Sequence, residues 1–128
     1  MQLPEEDEAY LKEKGFVYEL LIEGNTGLLI IKDYPVSAAK YDRDRTDLLI
    51  QIPNGYNISK LDMFWVDPPL KLKASGSFPQ AAAYFEPLPV SSGRQWQRFS
   101  RHLNDGQWKA GIDGLSTFMS LIQRELHD

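Results

Sequence analysis

A chain of 128 residues with 42% apolar and 12% aromatic residues can fill one core, so a single domain over residues 1–128 is expected. A formal net charge of -4 and a pI near 5.1 provide no general electrostatic footprint for nucleic acid. The absence of cysteine removes disulfides, thiolate metal sites and thiol catalysis, and leaves the compartment undetermined by redox logic.

The opening stretch, MQLPEEDEAYLKEKG, lacks the apolar run of a signal peptide, and nowhere does the chain carry about 18 consecutive apolar residues. A soluble, cytoplasmic protein with no membrane partner is expected. Residues 4–14 predict a short helix. Pro4 suits a first turn, Glu5, Glu6, Asp7 and Glu8 favour the N-terminal end, and Gly15 suits the exit. Ala9, Tyr10 and Leu11 offer little to bury, which predicts a surface helix.

Three runs rich in aliphatic and β-branched residues follow, at Phe16 to Ile22, Leu28 to Ile31 and Asp47 to Ile52. The turn signal Glu23-Gly24-Asn25-Thr26-Gly27 separates the first two. MFWV at 63–66 supplies a fourth strand, stopped by Asp67-Pro68-Pro69. The four together predict an antiparallel meander. Residues 71–95 carry Gly76, Pro79, Pro87, Pro89 and Gly93 with few periodic apolar positions, which predicts a long irregular segment of functional interest. Beyond Trp108, Ile112, Leu115, Met119, Ile122 and Leu126 recur at three- and four-residue spacing, and Phe118 widens the apolar face of a C-terminal helix. Gly111 is the expected N-cap and Asp113 the expected first-turn acid. The class is α+β, with the C-terminal helix covering the sheet.

Several chemistries have no support. His102 and His127 without cysteine make no zinc set, so no metal is expected. No nucleotide-binding glycine motif occurs, and no cofactor is expected. The stretch WQRFSRHLNDGQW, residues 96–108, crowds aromatic and basic residues around Ser100 and His102. With Arg94 it could form a basic-aromatic patch for single-stranded nucleic acid through Arg94, Trp96, Arg98, Phe99 and Arg101, but the acidic balance argues against nucleic acid as a partner.

The order of elements, with IPNGY at 52–56, DMFWVDPPL at 62–70, WQRFSRH at 96–102 and WKAGIDGLSTFMSLIQREL at 108–126, resembles the ubiquitin-conjugating (E2) superfamily, and more narrowly the bacterial branch called prokaryotic E2 family E. The likeness runs from about Gly15 to Leu126 and is most specific from Trp96 to Leu115. It implies a UBC-like fold: N-terminal helix, four-stranded meander, long active-site loop and C-terminal helix on the sheet. In that superfamily a tryptophan element follows the nucleophilic cysteine by eight residues. Counting back eight from Trp108 reaches Ser100. The resemblance also places His102 at the histidine this branch carries just after the active position. The His-Pro-Asn signature of ordinary E2 enzymes is missing, and VSSGRQWQRF stands in its place.

A serine hydroxyl is not ionised unaided, so Ser100 needs a base, and His102, of a residue type with an unperturbed pKa of about 6.5, is the nearby histidine. In extended chain, residues i and i+2 share a side, which would bring Ser100 and His102 together and set Arg98 beside a developing oxyanion. Arg101, Trp108 and Asp113 complete the supporting set. The bland readings are a loop serine that only hydrogen-bonds, a structural histidine, and Trp96, Phe99 and Trp108 as packing residues. Ser91 and Ser92 are rival nucleophiles.

The resemblance implies an E1-like activating enzyme, a ubiquitin-like protein and a target as partners, with a JAB-type peptidase in the same pathway, and such bacterial sets resemble phage-defence modules. The product would be an oxyester on Ser100; a Cys-to-Ser form of a thioester enzyme would have the same sequence. The N-terminal helix, through Glu5, Glu6 and Tyr10, is the expected docking surface for the activating enzyme. It is acidic where many E2 enzymes are basic. The competing reading is an inactive E2 variant that binds a ubiquitin-like protein or the activating enzyme without carrying anything.

Overall fold

Gly24 and Asn25 are the two central residues of a tight hairpin, with Gly24 at φ +59, a left-handed conformation that glycine adopts without steric cost. They join β1 (Tyr18–Glu23) to β2 (Thr26–Pro35) in a computed structural model that describes residues 2–88 and 93–127. Next come β3 (Arg45–Ile52), β4 (Phe64–Asp67), β5 (Tyr84–Pro87) and β6 (Gln95–Phe99). All six pair antiparallel in the order β1-β2-β3-β4-β6-β5. Helix α1 (Glu5–Glu13) precedes the sheet and α2 (Leu115–His127) follows it. The fold is α+β.

Both faces of the central strands are covered, which is why their sequence reads as unbroken apolar runs. On one face Leu29, Ile31, Leu48, Ile50, Phe64, Val66 and Phe99 meet Leu115, Phe118, Met119, Ile122 and Leu126 of α2 in the main core. On the other, Leu28, Ile30 and Leu49 form a smaller cluster with Trp65, Leu88 and Trp96. The C-terminal end of α2 is fastened by groups from the β2–β3 connection. Lys40 Nζ and the Tyr41 hydroxyl donate to the Glu125 carbonyl at 2.7 and 2.8 Å, and Ser37 N–H donates to that of Leu126 at 2.8 Å. These satisfy carbonyls that a helix end leaves without intrahelical partners.

The sequence predicted four strands and an irregular segment over 71–95; the structure has six strands among the described residues. Tyr84–Pro87 and Gln95–Phe99 form a hairpin that extends the sheet beyond β4. Pro87 is tolerated because β5 is the edge strand. Gln97 explains how so irregular a stretch is held. Its fully buried amide accepts from Leu70 N–H at 2.7 Å and donates to the carbonyls of Leu70 and Ala82 at 3.0 and 2.8 Å. Gln97→Leu leaves those three backbone groups without their partner and is expected to cost about 2–4 kcal/mol, measured by urea denaturation. A loss below about 0.5 kcal/mol would show that water replaces the amide.

Two helix expectations are also corrected. Helix α1 is not merely a surface helix, since Leu11 is fully buried and Asp7 only 5% exposed. Helix α2 starts at Leu115, so Gly111 is not its N-cap, and Ile112 lies before the helix at 77% exposure. Gly111 has φ +78, which takes the chain out of helical geometry there.

Candidate functional site

Strand β6 ends at Phe99, buried and stacked on Phe64 of β4 with ring centroids 4.8 Å apart. Ser100 is the first residue past the strand, partly exposed. Its N–H donates to the Ala81 carbonyl at 3.1 Å, and the carbonyl of Arg101 accepts from Met63 N–H at 3.1 Å. Both outside partners are strained. Ala81 has φ +54 and Met63 φ +58, a left-handed region that costs a residue with a Cβ about 1–2 kcal/mol. Non-glycine residues held there concentrate at functional sites, and here two of them grip the backbone of residues 100–101.

His102 projects into solvent, its side chain 53% exposed, and its Nδ1 pairs with Asp62 Oδ1. Asp62 lies just before β4, so the antiparallel pairing of β4 with β6 carries it alongside the residues that follow β6. Neither the Ser100 hydroxyl nor His102 Nε2 has a hydrogen-bond partner among the described residues; the two side chains are neighbours in sequence without a bond between them. A shallow pocket of about 220 Å³ lies beside the imidazole, lined by Arg101, His102, Leu121, Arg124 and Glu125.

The arginines of the stretch are already partnered. Arg98 pairs with Glu86 at 3.4 Å and lies over the Tyr84 ring. Arg101 reaches α2, where Nε and Nη2 bond Glu125 Oε1 at 2.8 and 2.5 Å. Arg94 bridges Asp67 at 2.7 Å and Asp47 at 2.9 Å. Trp96 and Phe99 are fully buried, so the basic-aromatic patch offers neither free cations nor exposed rings for stacking bases.

Trp108 and Asp113 shape the loop that leads into α2. Asn57 is their anchor: its carbonyl accepts from Trp108 Nε1 at 3.0 Å and from Gly111 N–H at 3.2 Å, while its amide donates to the Asp113 carbonyl at 2.8 Å. The Asp113 carboxylate accepts from Lys109 N–H at 2.6 Å and from the Thr117 hydroxyl at 3.1 Å. Of the residues expected to dock a partner, Glu5 and Glu6 are exposed on α1, and Tyr10 is half-buried with its ring edge on Phe16.

Asp7, from the same acidic run, turns inward. It accepts from the Tyr56 hydroxyl at 2.5 Å and from Leu115 N–H, at the start of α2, at 3.2 Å. Burial raises its pKa above the ordinary carboxylate value, against the lowering effect of the bonds from Tyr56 and Leu115. Burial likewise pushes the Tyr56 hydroxyl upward, and the bond to Asp7 adds to this. Among the described residues no group of three or more His, Cys, Asp or Glu side chains could hold a metal ion, and no helix is long and apolar enough to cross a membrane. Ser91 and Ser92 lie outside the described residues.

The family model described as prokaryotic E2 family E matches residues 3–128. The chain belongs to this family. The match takes in every element from α1 to α2, so the E2-family domain includes both strands that the sequence left unread. No curated protein and no solved structure gives a match. Family membership establishes an E2-like role. Sequence reasoning passed over three residues of this E2-family chain. Asp62 stands forty positions before His102 with no local motif to link them, Asp7 hides in a run of acids, and Asn57 meets Trp108 and Asp113 only through the fold.

Proposed function

We propose that this protein is an E2-like carrier, which accepts the C-terminal acyl group of a ubiquitin-like protein onto Ser100 and passes it to an amine on a target. One observation carries the reading. The serine that stands eight residues before Trp108 sits where β6 ends, on backbone gripped by two left-handed residues, with an exposed histidine two positions on whose Nε2 has no partner among the described residues.

An E1-like activating enzyme supplies the acyl group as an activated ester or anhydride. Ser100 Oγ attacks its carbonyl carbon, and the hydroxyl proton passes to His102 Nε2. The new C–O bond forms, the bond to the activating group breaks, and the proton leaves with that group. In the second step the target amine attacks the same carbon. The C–N bond forms, the ester bond breaks, and the amine's proton returns through His102 to Ser100 Oγ. Asp62 and Glu125 hold His102 and Arg101, two of the residues that line the pocket of about 220 Å³, as the tail arrives. Glu5, Glu6 and Tyr10 on α1 form the docking surface for the activating enzyme, whose matching surface is basic. A JAB-type peptidase belongs to the same pathway, and antiphage defence is its setting.

The test mixes the protein with its activating enzyme, ATP and the ubiquitin-like protein, and reads intact mass. An adduct is expected that resists dithiothreitol, yields to hydroxylamine and is absent in Ser100→Ala. The second reading, an inactive E2 variant, is favoured by the missing His-Pro-Asn signature and by the lack of a hydrogen bond between Ser100 and His102. No adduct from a charged activating enzyme would decide for it.

A further inference from the structure

The geometry points to Asp62 as a positioning residue for His102, completing an Asp-His-Ser relay in which Asp62 sets the tautomer of the imidazole. This rests on the carrier reading above. Asp62 Oδ1 contacts His102 Nδ1 and is the only hydrogen-bond partner of the ring among the described residues. An ionised carboxylate only accepts hydrogen bonds, so Nδ1 must carry the proton. In the neutral ring Nε2 then holds the lone pair, and Nε2 is the nitrogen without a hydrogen-bond partner among the described residues. Without Asp62 the neutral ring would divide between two tautomers, only one of which has a base at Nε2.

The placement of Asp62 is structural. It precedes β4, whose Phe64 pairs with Phe99 of β6; past the strands the register shifts by one residue, so that Met63 N–H reaches the Arg101 carbonyl and Asp62 meets His102. Met63 takes up its left-handed φ of +58 between the strand and the carboxylate, which re-aims the chain at that point. Nearby in the chain, Lys60 Nζ donates to the Leu103 carbonyl at 2.8 Å and Arg101 is bound to Glu125.

The test has two arms on the full chain. Long-range proton–nitrogen correlation spectra of the neutral histidines read the tautomer, with His127 as the internal control, since the chain has only two histidines. His102 is expected as the Nδ1–H form in the wild type, as a mixture in Asp62→Ala, and again largely as Nδ1–H in Asp62→Glu. In the second arm, Asp62→Ala is expected to slow adduct formation on Ser100 by at least about tenfold, with partial rescue in Asp62→Glu. An unchanged tautomer in Asp62→Ala overturns the inference. So does a changed tautomer with an undiminished rate. If the wild type itself forms no adduct while the tautomer follows Asp62, the carrier reading has failed, and the contact is a structural one without a part in catalysis.

Discussion

His102→Ala is expected to slow charging of Ser100 by about 10²- to 10⁴-fold, the usual contribution of a general base, whereas in a Ser100→Cys background the same substitution is expected to cost less than about tenfold. The contrast follows from the nucleophile. A thiol with an unperturbed pKa of about 8.5 is partly ionised near neutral pH and attacks without a base, whereas an alcohol must lose its proton during attack. His102 can serve that need because its ring is exposed and Nε2 is open. The two double comparisons, followed by intact mass over time, separate proton transfer from simple loss of structure. Damage to the loop would slow both nucleophiles alike, so equal penalties in the two backgrounds would remove His102 from the chemistry. The adduct should also change character. In Ser100→Cys it becomes a thioester that dithiothreitol cleaves.

The elements that the sequence made legible are those with one clear period or composition. The face of Leu115, Phe118, Met119, Ile122 and Leu126 shows plainly in α2, and the hairpin of β1 and β2 is marked by its glycine turn. Strand β6 was unreadable because burial there does not alternate: Trp96 goes to one face, Gln97 and Phe99 serve the other, and Gln97 is buried for its hydrogen bonds. Helix α2 begins one turn later than the apolar spacing suggested. Ile112 fits the period, but Asp113 closes a loop with Lys109 and Thr117 first. The candidate site divides in the same way. Ser100 and His102 are singled out through the family resemblance, while the contacts of Asp62 and Asn57 come from tertiary pairing that local pattern does not encode. Charge composition hid Asp7 for a simple reason. Four adjacent acids read as solvated, and only the fold decides which one turns inward.

Asp7→Ala is expected to destabilise the protein by about 2–4 kcal/mol at pH 7, because it leaves the Tyr56 hydroxyl and Leu115 N–H without their partner in a buried place. A Cβ added at Gly114 would stand 2.9 Å from Asp7 Oδ1 and 3.2 Å from the Tyr56 oxygen, so a side chain there would force the carboxylate to shift where it meets the start of α2. Asp7→Asn preserves the shape without the charge and isolates the pH dependence. Burial raises the native pKa of Asp7 above its unfolded value, so the native state holds the proton more readily than the unfolded chain. Its contribution is then fully present below the unfolded value of about 3.9 and declines as pH rises through the raised native value. Urea denaturation from pH 3.5 to 7 should therefore show the wild type gaining on Asp7→Asn as the solution is acidified, and the difference should be flat above the native pKa. A wild type that loses ground to Asp7→Asn on acidification would mean that the bonds from Tyr56 and Leu115 outweigh burial, and that the ionised carboxylate is what joins the two helices.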